Sequence, residues 1–277
     1  MNYKEVEFIL QPLLPAREVL LAELAELGFE SFVETEEGLK AYMAENMWSD
    51  DMLNDLMTAA MPDQVIQWKV NHIEAVNWNA EWEKSFDPII VDNKCLIRAP
   101  FHEVAGAYDY VITIEPKMSF GTGHHATTHL VISEMMRMSW EGKEVLDMGS
   151  GTAVLAILAE KMGAVSIDAI DIDEWAFENA VENAQRNECT KIRCLLGGAE
   201  LLGENSYDVI LANINRNILM RDMQHYRAVL KPGGKIIFSG FYDQDVVELE
   251  HVMEPLGLKI VHKELRNEWC MLSTELA

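Results

Sequence analysis

The feature that most constrains the fold of this chain is an alternation of strand and helix patterns that begins near residue 124. The segment Lys143–Met148 has the composition of a buried strand, and Thr152–Met162 has apolar residues at helical spacing. Further helices are predicted at Asp173–Asn187, Arg216–Leu230 and Gln244–Leu256. Further strands are predicted at Val165–Ile170, Lys191–Leu196, Tyr207–Asn213, Lys235–Gly240, Lys259–Leu265 and Trp269–Thr274. Such alternation is typical of parallel strands joined by crossover helices, so it predicts a doubly wound α/β sheet.

The first 76 residues follow a different order, in which two hairpin strands stand between two helices. Strands are predicted at Lys4–Leu10 and Val65–Val76, and a hairpin at Ser31–Glu34 and Leu39–Ala44. Helices are predicted at Pro15–Leu27, opened by proline, and at Ser49–Met57, capped by serine. This βαββαβ order predicts a small α+β ferredoxin-like domain over residues 1–76.

The charge of this first domain indicates the kind of partner that it binds. The whole chain has a formal net charge of −24, and residues 1–76 hold four basic against fifteen acidic side chains, a net charge of −11. Non-specific binding to nucleic acid needs clustered Lys and Arg, so the charge argues against nucleic acid. A basic partner or a small neutral substrate is favoured by this charge. We predict that residues 1–76 form a protein-docking domain for the substrate, and the alternative is a structural appendage that only stabilises the core.

Three aromatic residues follow the first domain at a spacing of four. Trp78, Trp82 and Phe86 would share one face of a helix, which predicts a linker helix region over residues 77–92. The second domain is then expected to occupy residues 93–277.

The turn after the first strand of the alternating region has features of a ligand-binding site. The sequence Val145-Leu146-Asp147-Met148-Gly149-Ser150-Gly151-Thr152 leads an apolar strand through two glycines into a helix. The glycines allow the backbone to approach a ligand, and the amides at the helix start face it. Asp171 ends the next strand about twenty residues later, where a carboxylate accepts both hydroxyls of an adenosine ribose. Asp147 would either order the turn or face a cationic ligand.

Two cofactors that contain adenosine are compatible with this arrangement. A nicotinamide dinucleotide places its pyrophosphate over the helix start and usually needs Gly or Ala at the third fingerprint position, which here is the branched Val154. S-adenosylmethionine has no phosphate and is the usual partner of a D-x-G-x-G turn, so we favour it. A glycine turn without any ligand is the third interpretation.

Four segments carry a resemblance to a known family. They are Phe120-Gly121-Thr122-Gly123-His124-His125-Ala126-Thr127-Thr128, Asp147-Met148-Gly149-Ser150-Gly151, Asp171-Ile172-Asp173-Glu174 and Leu211-Ala212-Asn213-Ile214. Residues 78–275 resemble the class I S-adenosylmethionine-dependent methyltransferases, and the whole chain resembles the PrmA family. The first segment is the most specific, because general methyltransferases lack it. The resemblance implies a Rossmann-like sheet and methylation of lysines and the N-terminal amine of protein eleven of the large ribosomal subunit.

The resemblance also implies roles for individual residues. Position by position, it assigns cofactor contacts to Thr128, Gly149, Gly151, Asp171 and Asn213, and a loop over the cofactor to Phe120, Gly121, Thr122 and Gly123. Gly198-Ala199-Glu200 corresponds to the segment that meets adenine. The chain departs from the common family pattern at Glu115-Pro116-Lys117, Ala126, Ser150 and Asn215-Arg216.

The chemistry of amine methylation points to Asn213 as the catalytic residue. The reaction is an in-line displacement, so the protein must hold the nitrogen about 3 Å from the methyl carbon. A desolvated site beside a sulfonium lowers the pKa of a lysine, so a strong base is not required. Asn213 ends its strand at the mouth of the sheet, where its carbonyl oxygen accepts a hydrogen bond from the incoming amine.

Other functions and sites remain as alternatives. The sequence Leu211-Ala212-Asn213-Ile214 is distantly similar to the N-P-P-Y motif used on amines of nucleobases and glutamine, and a cofactor-binding module without activity is a third possibility. His124, His125 and His129 lack the Glu of an H-E-x-x-H motif, so we expect no metal site. We see no signal peptide, membrane span or CxxC pair, and we expect a cytoplasmic monomer.

Overall fold

The computed structural model describes residues 2–73, 87–104, 106–115 and 125–276, and it divides into two units. The units comprise Met1–Ser85 and Phe86–Ala277. Most of the predicted linker helix lies outside the described residues, so it stays a prediction. Within the described ranges, none of the helices is both long and apolar enough to cross a membrane.

The N-terminal unit is a four-stranded antiparallel sheet packed against a helix. Its elements are β1 (Tyr3–Gln11), α1 (Ala16–Glu26), β2 (Ser31–Glu34), β3 (Gly38–Ala44) and β4 (Val65–Ile73). The strand order is β2-β3-β1-β4, and each neighbouring pair is antiparallel. Alternate residues of β1 (Val6, Phe8 and Leu10) are buried under α1, which contributes Leu20 and Leu24 to the same core. This is the strand order of the predicted ferredoxin-like domain.

The predicted second helix of this unit was wrong. Residues 50–55 form turns, and a short 3₁₀ helix follows at Met57–Ala60. The cause is a long-range contact: the carboxylate of Glu23, on α1, accepts hydrogen bonds from the backbone N–H of Met57, and from the backbone N–H (3.0 Å) and hydroxyl of the buried Thr58. Glu23 therefore supplies partners that an α-helical turn would otherwise provide.

The second unit contains a seven-stranded mixed sheet. Its strands are β8 (Glu144–Met148), β9 (Ser166–Asp171), β10 (Ile192–Leu196), β11 (Tyr207–Asn213), β12 (Leu230–Tyr242), β13 (Leu258–Arg266) and β14 (Trp269–Leu276). The order is β10-β9-β8-β11-β12-β14-β13; the first five strands are parallel, and β14 is antiparallel to both its neighbours. A separate small sheet holds β5 (Ile89–Val91), β6 (Cys95–Arg98) and β7 (Tyr110–Thr113).

Helices cover both faces of the large sheet. They are α2 (Ala126–Met135), α3 (Val154–Lys161), α4 (Glu174–Arg186), α5 (Arg216–Val229) and α6 (Val246–Met253). Neighbouring residues of one strand belong to different hydrophobic cores: Val145 packs with Leu130 and Ile157, whereas Leu146 packs with Leu219 and Leu249. The doubly wound α/β prediction is therefore confirmed, and it places the carboxyl ends of β8, β9 and β11 at one edge.

Candidate active site

A cavity of about 840 Å³ opens at the carboxyl ends of the parallel strands. Its lining includes five of the predicted cofactor-binding residues, namely Thr128, Gly149, Gly151, Asp171 and Asn213. They come from α2, the turn after β8, and the ends of β9 and β11. A volume of this size is typical of small-molecule sites, and the edge of a doubly wound sheet is where such sites occur.

The turn after β8 requires glycine at residue 149. Gly149 has φ +73°, and a Cβ atom built on it would lie 2.0 Å from Cγ2 of Ile214. Its N–H donates to the carbonyl of Ile170 at 2.8 Å, which ties the turn to the end of β9. The side chain of Ile214 therefore lies directly over the turn, and both residues line the cavity.

The carboxylate of Asp171 is held in place by two backbone hydrogen bonds. Its Oδ2 accepts from the N–H of Gly151 at 2.8 Å, and its Oδ1 accepts from the N–H of Asp173 at 3.0 Å. Each oxygen keeps a further lone pair that can accept a ligand hydroxyl. Asp171 thus has the orientation and the acceptor capacity that a ribose contact needs.

Asp147 orders the turn and does not line the cavity. It is 1% exposed, and its Oδ2 accepts a hydrogen bond from the N–H of Ala156, in the first turn of α3, at 3.0 Å. Burial raises the pKa of its carboxyl to about 7, with a smaller contribution from the charge of Asp171. Of the two roles predicted for Asp147, the structural one applies.

Asn213 presents an acceptor that has no partner within the described part of the chain. Its Nδ2 lies 3.4 Å from Oγ1 of Thr128, while its buried Oδ1 accepts no hydrogen bond. Buried polar atoms are nearly always paired, so an acceptor left open beside a cavity indicates a ligand group that donates to it.

The rings of His125 and Trp269 form an aromatic wall of the cavity. Trp269, the first residue of β14, stacks at 31° on Tyr242 with the ring centroids 4.2 Å apart, and the edge of His125 meets it at 4.5 Å. His125 also caps α2 by accepting from the N–H of Thr127. Burial lowers the pKa of His125, so its ring is neutral at pH 7 and this wall has little charge.

The cavity lining also contains residues that sequence reasoning missed. Ile172 and Trp175 line the cavity although they are 78% and 61% exposed, which gives the flat face of a base an apolar surface to pack on. Arg221 and Asp222 also line the cavity, and Arg221 donates from Nε and Nη2 to the carboxylate of Asp222 at 2.6 and 2.8 Å. The signal available in the sequence was a large apolar residue directly after Asp171.

The segment Gly198-Ala199-Glu200, predicted to meet adenine, is only partly in the cavity lining. Gly198 lines the cavity, whereas the carboxylate of Glu200 turns back to accept from the N–H of Gly198 at 2.7 Å. That hydrogen bond lowers the pKa of Glu200.

The predicted loop over the cofactor and the histidines considered as metal ligands lie only partly in the described residues. The loop Phe120, Gly121, Thr122 and Gly123 lies outside the described residues, as does His124. Among the described side chains, no group of three or more His, Cys, Asp and Glu residues could hold a metal ion.

Comparisons with known proteins identify the family to which this chain belongs. Residues 16–276 match the family model described as ribosomal protein L11 methyltransferase (PrmA). The chain is 43% identical over 273 residues to the ribosomal protein L11 methyltransferase of Phocaeicola vulgatus, covering 97% of each chain. It is 36% identical over 264 residues to the protein of that name from Chlorobaculum tepidum, covering 91% of this chain and 90% of the other.

A solved structure gives the same result at lower identity. The crystal structure of ribosomal protein L11 methylase from Lactobacillus delbrueckii subsp. bulgaricus superposes with a TM-score of 0.63 at 27% identity, over 68% of this chain and 98% of that chain. The fold, the site and these matches together show that this chain belongs to the ribosomal protein L11 methyltransferase (PrmA) family.

Proposed function

We propose that this protein transfers methyl groups from S-adenosylmethionine to lysine side chains, the N-terminal amine, or both, of ribosomal protein L11. Family membership supports the methyl donor and the ribosomal substrate. The observation that supports amine chemistry is the open acceptor at Asn213, in a cavity that is also lined by Asp171 and by the rings of Trp269 and His125.

The residues of the cavity fit the cofactor. Gly149 and Gly151 line the cavity without a side chain, Asp171 offers two oriented carboxylate oxygens, and Ile172 with Trp175 offers an apolar surface for adenine. When bound, S-adenosylmethionine supplies a methyl group activated by the adjacent sulfonium. These residues would hold its adenosine portion, and Thr128 and Asn213 would face its methionine portion.

Asn213 and the aromatic wall prepare the amine. The Oδ1 atom of Asn213 accepts one N–H of the amine and so orients the nitrogen lone pair away from itself. Trp269 and the neutral His125 surround the amine with weakly polar groups, which favours its uncharged form. The nitrogen thus becomes nucleophilic by losing its proton to solvent before it is enclosed.

The acidic first domain is proposed to hold the basic substrate. Residues 1–76 have a net charge of −11, and opposite charge accelerates and orients association. We further propose that the protein acts as a monomer in the cytoplasm, in keeping with four free cysteines. Methylation of a nucleobase or glutamine is not favoured, because the matched family is named for L11.

A matched pair of asparagine variants tests the role of Asn213. Asn213→Ala removes the open acceptor, whereas Asn217→Ala changes an exposed asparagine one turn further along. With L11 as the substrate, we expect kcat to fall about 100-fold in the first variant, equal to about 2.7 kcal/mol, and to stay within twofold in the second. Equal kcat in the two variants would refute the proposed role.

A further inference from the structure

One side of the N-terminal unit exposes a group of apolar side chains. Met47 and Met57 are 62% and 67% exposed, and Trp68 and Val70 on β4 are exposed as well. We call these four residues the methionine face. Apolar groups of this size that lie together on a domain surface usually mark a binding site.

Contacts place Trp68, Val70 and the 3₁₀ helix that begins at Met57 on the side of the sheet that α1 covers. Trp68 pairs in register with the buried Phe8, and their ring centroids are 6.4 Å apart. Val70 pairs with Val6, which is also buried on that side. The 3₁₀ helix that begins at Met57 packs against both α1 and β4.

Met47 directly precedes Trp48 in the chain, and the contacts of Trp48 locate this segment. Trp48 packs on the core beneath the sheet and meets the edge of Phe29 at 6.5 Å. Glu45 stands three residues before Trp48, and its Oε1 lies 2.9 Å from Nδ1 of His72, on β4. The segment from residue 45 to residue 63 therefore runs along β4, where a ferredoxin-like fold has its second helix.

The fold itself explains why the face is uncovered. A helix over residues 49–57 would turn its apolar side to the sheet and cover the helix-side residues of β4. The observed turns bury Leu53 and Leu56 but leave Trp68 and Val70 accessible.

The chemistry around the face indicates a basic partner. Residues 45–63 contain five acidic residues, four methionines and no Lys or Arg; the acids are Glu45, Asp50, Asp51, Asp55 and Asp63. Lys4, at 3.3 Å from Glu45, already forms an ion pair with it. Methionine side chains adapt their shape to a partner, and acidic residues around an apolar surface select Lys and Arg around apolar side chains.

We propose that the methionine face is the docking surface for the protein substrate, which presents a basic surface with apolar side chains to it. This inference rests on the proposed function, since the substrate is taken to be ribosomal protein L11. The proposal places L11 binding on the side of the sheet formed by residues 45–63 and β4. The other side of the sheet, which faces away from α1 and is called the open side below, is given no role.

Two double variants of the full chain test this inference. Met47→Gln with Met57→Gln keeps the size of both side chains but makes the face polar. Ile9→Gln with Val33→Gln makes the same kind of change at residues 45% and 49% exposed on the open side. Three quantities are measured for each: calorimetric affinity for L11, calorimetric affinity for S-adenosylhomocysteine, and methylation of a short lysine peptide.

We expect the methionine variant to bind L11 about tenfold more weakly, as for loss of central apolar contacts in an interface. Its affinity for S-adenosylhomocysteine and its activity on the short peptide should equal those of the wild type, and the control variant should match the wild type throughout. Unchanged L11 affinity in the methionine variant, an equal loss in the control variant, or a wild type that does not bind L11 would overturn the inference. A wild type that binds L11 through this face but does not methylate it would instead overturn the proposed function.

Discussion

Replacing Gly149 by alanine separates two reasons for glycine in the turn after β8. Gly149 and Gly233 have the same φ, +73°, so alanine incurs the same left-handed backbone strain of about 1–2 kcal/mol at either site. A Cβ at residue 233 meets nothing within 4 Å, whereas a Cβ at residue 149 lies 2.0 Å from Cγ2 of Ile214. Gly149→Ala must therefore also displace Ile214, at a further cost of about 1–3 kcal/mol.

Urea unfolding and calorimetry measure the two consequences. We expect Gly233→Ala to lower the free energy of unfolding by about 1–2 kcal/mol without changing the affinity for S-adenosylhomocysteine. Gly149→Ala should lower it by about 2–5 kcal/mol and weaken that affinity at least about tenfold, because Ile214 lines the cavity. Equal stability losses in the two variants, or unchanged affinity in Gly149→Ala, would refute the close approach between Ile214 and the turn.

Three further predictions follow from buried or oriented carboxylates. Asp171→Ala should weaken the binding of S-adenosylhomocysteine by about 1–3 kcal/mol in calorimetry, since ribose hydroxyls lose their charged acceptor; unchanged affinity would reject the contact. Glu23→Ala leaves the N–H and hydroxyl of Thr58 unpaired and should lower the free energy of unfolding of the N-terminal unit by about 1–3 kcal/mol, whereas the exposed Glu26→Ala should not. The carboxyl of Asp147 has a pKa of about 7 in the fold, so it binds a proton that the unfolded chain releases near pH 4. The stability of the wild type relative to Asp147→Asn should therefore fall by up to about 1.4 kcal/mol per pH unit between pH 4 and 7, and a constant difference across that range would contradict the raised pKa.

The sequence predicted elements well where apolar periodicity is local. β2 and β11 were predicted at their observed bounds, Ser31–Glu34 and Tyr207–Asn213. β11 is a mostly buried run of apolar residues, and a short window of sequence is enough to find such a run. The glycine turn and Asp171 were likewise predicted. They lie about twenty residues apart, and that distance is set by the single helix between two neighbouring strands.

Features that depend on distant residues could not be predicted. The second helix of the first unit was wrong because Glu23 caps residues 57 and 58 from more than thirty positions away. The contact of Ile214 with the turn at Gly149, and of Trp269 with His125, joins segments that only the folded sheet brings together. The helix α2 was also not predicted from the sequence.

We propose that this protein methylates amines of ribosomal protein L11. The position of the transferred methyl group on L11 is the most direct test of that proposal. Purified protein is incubated with methyl-labelled S-adenosylmethionine and L11, and the labelled residues are located by tandem mass spectrometry. We predict label on lysine side chains, on the N-terminal amine, or on both. L11 without label, from a protein that still binds S-adenosylhomocysteine in calorimetry, would contradict the account.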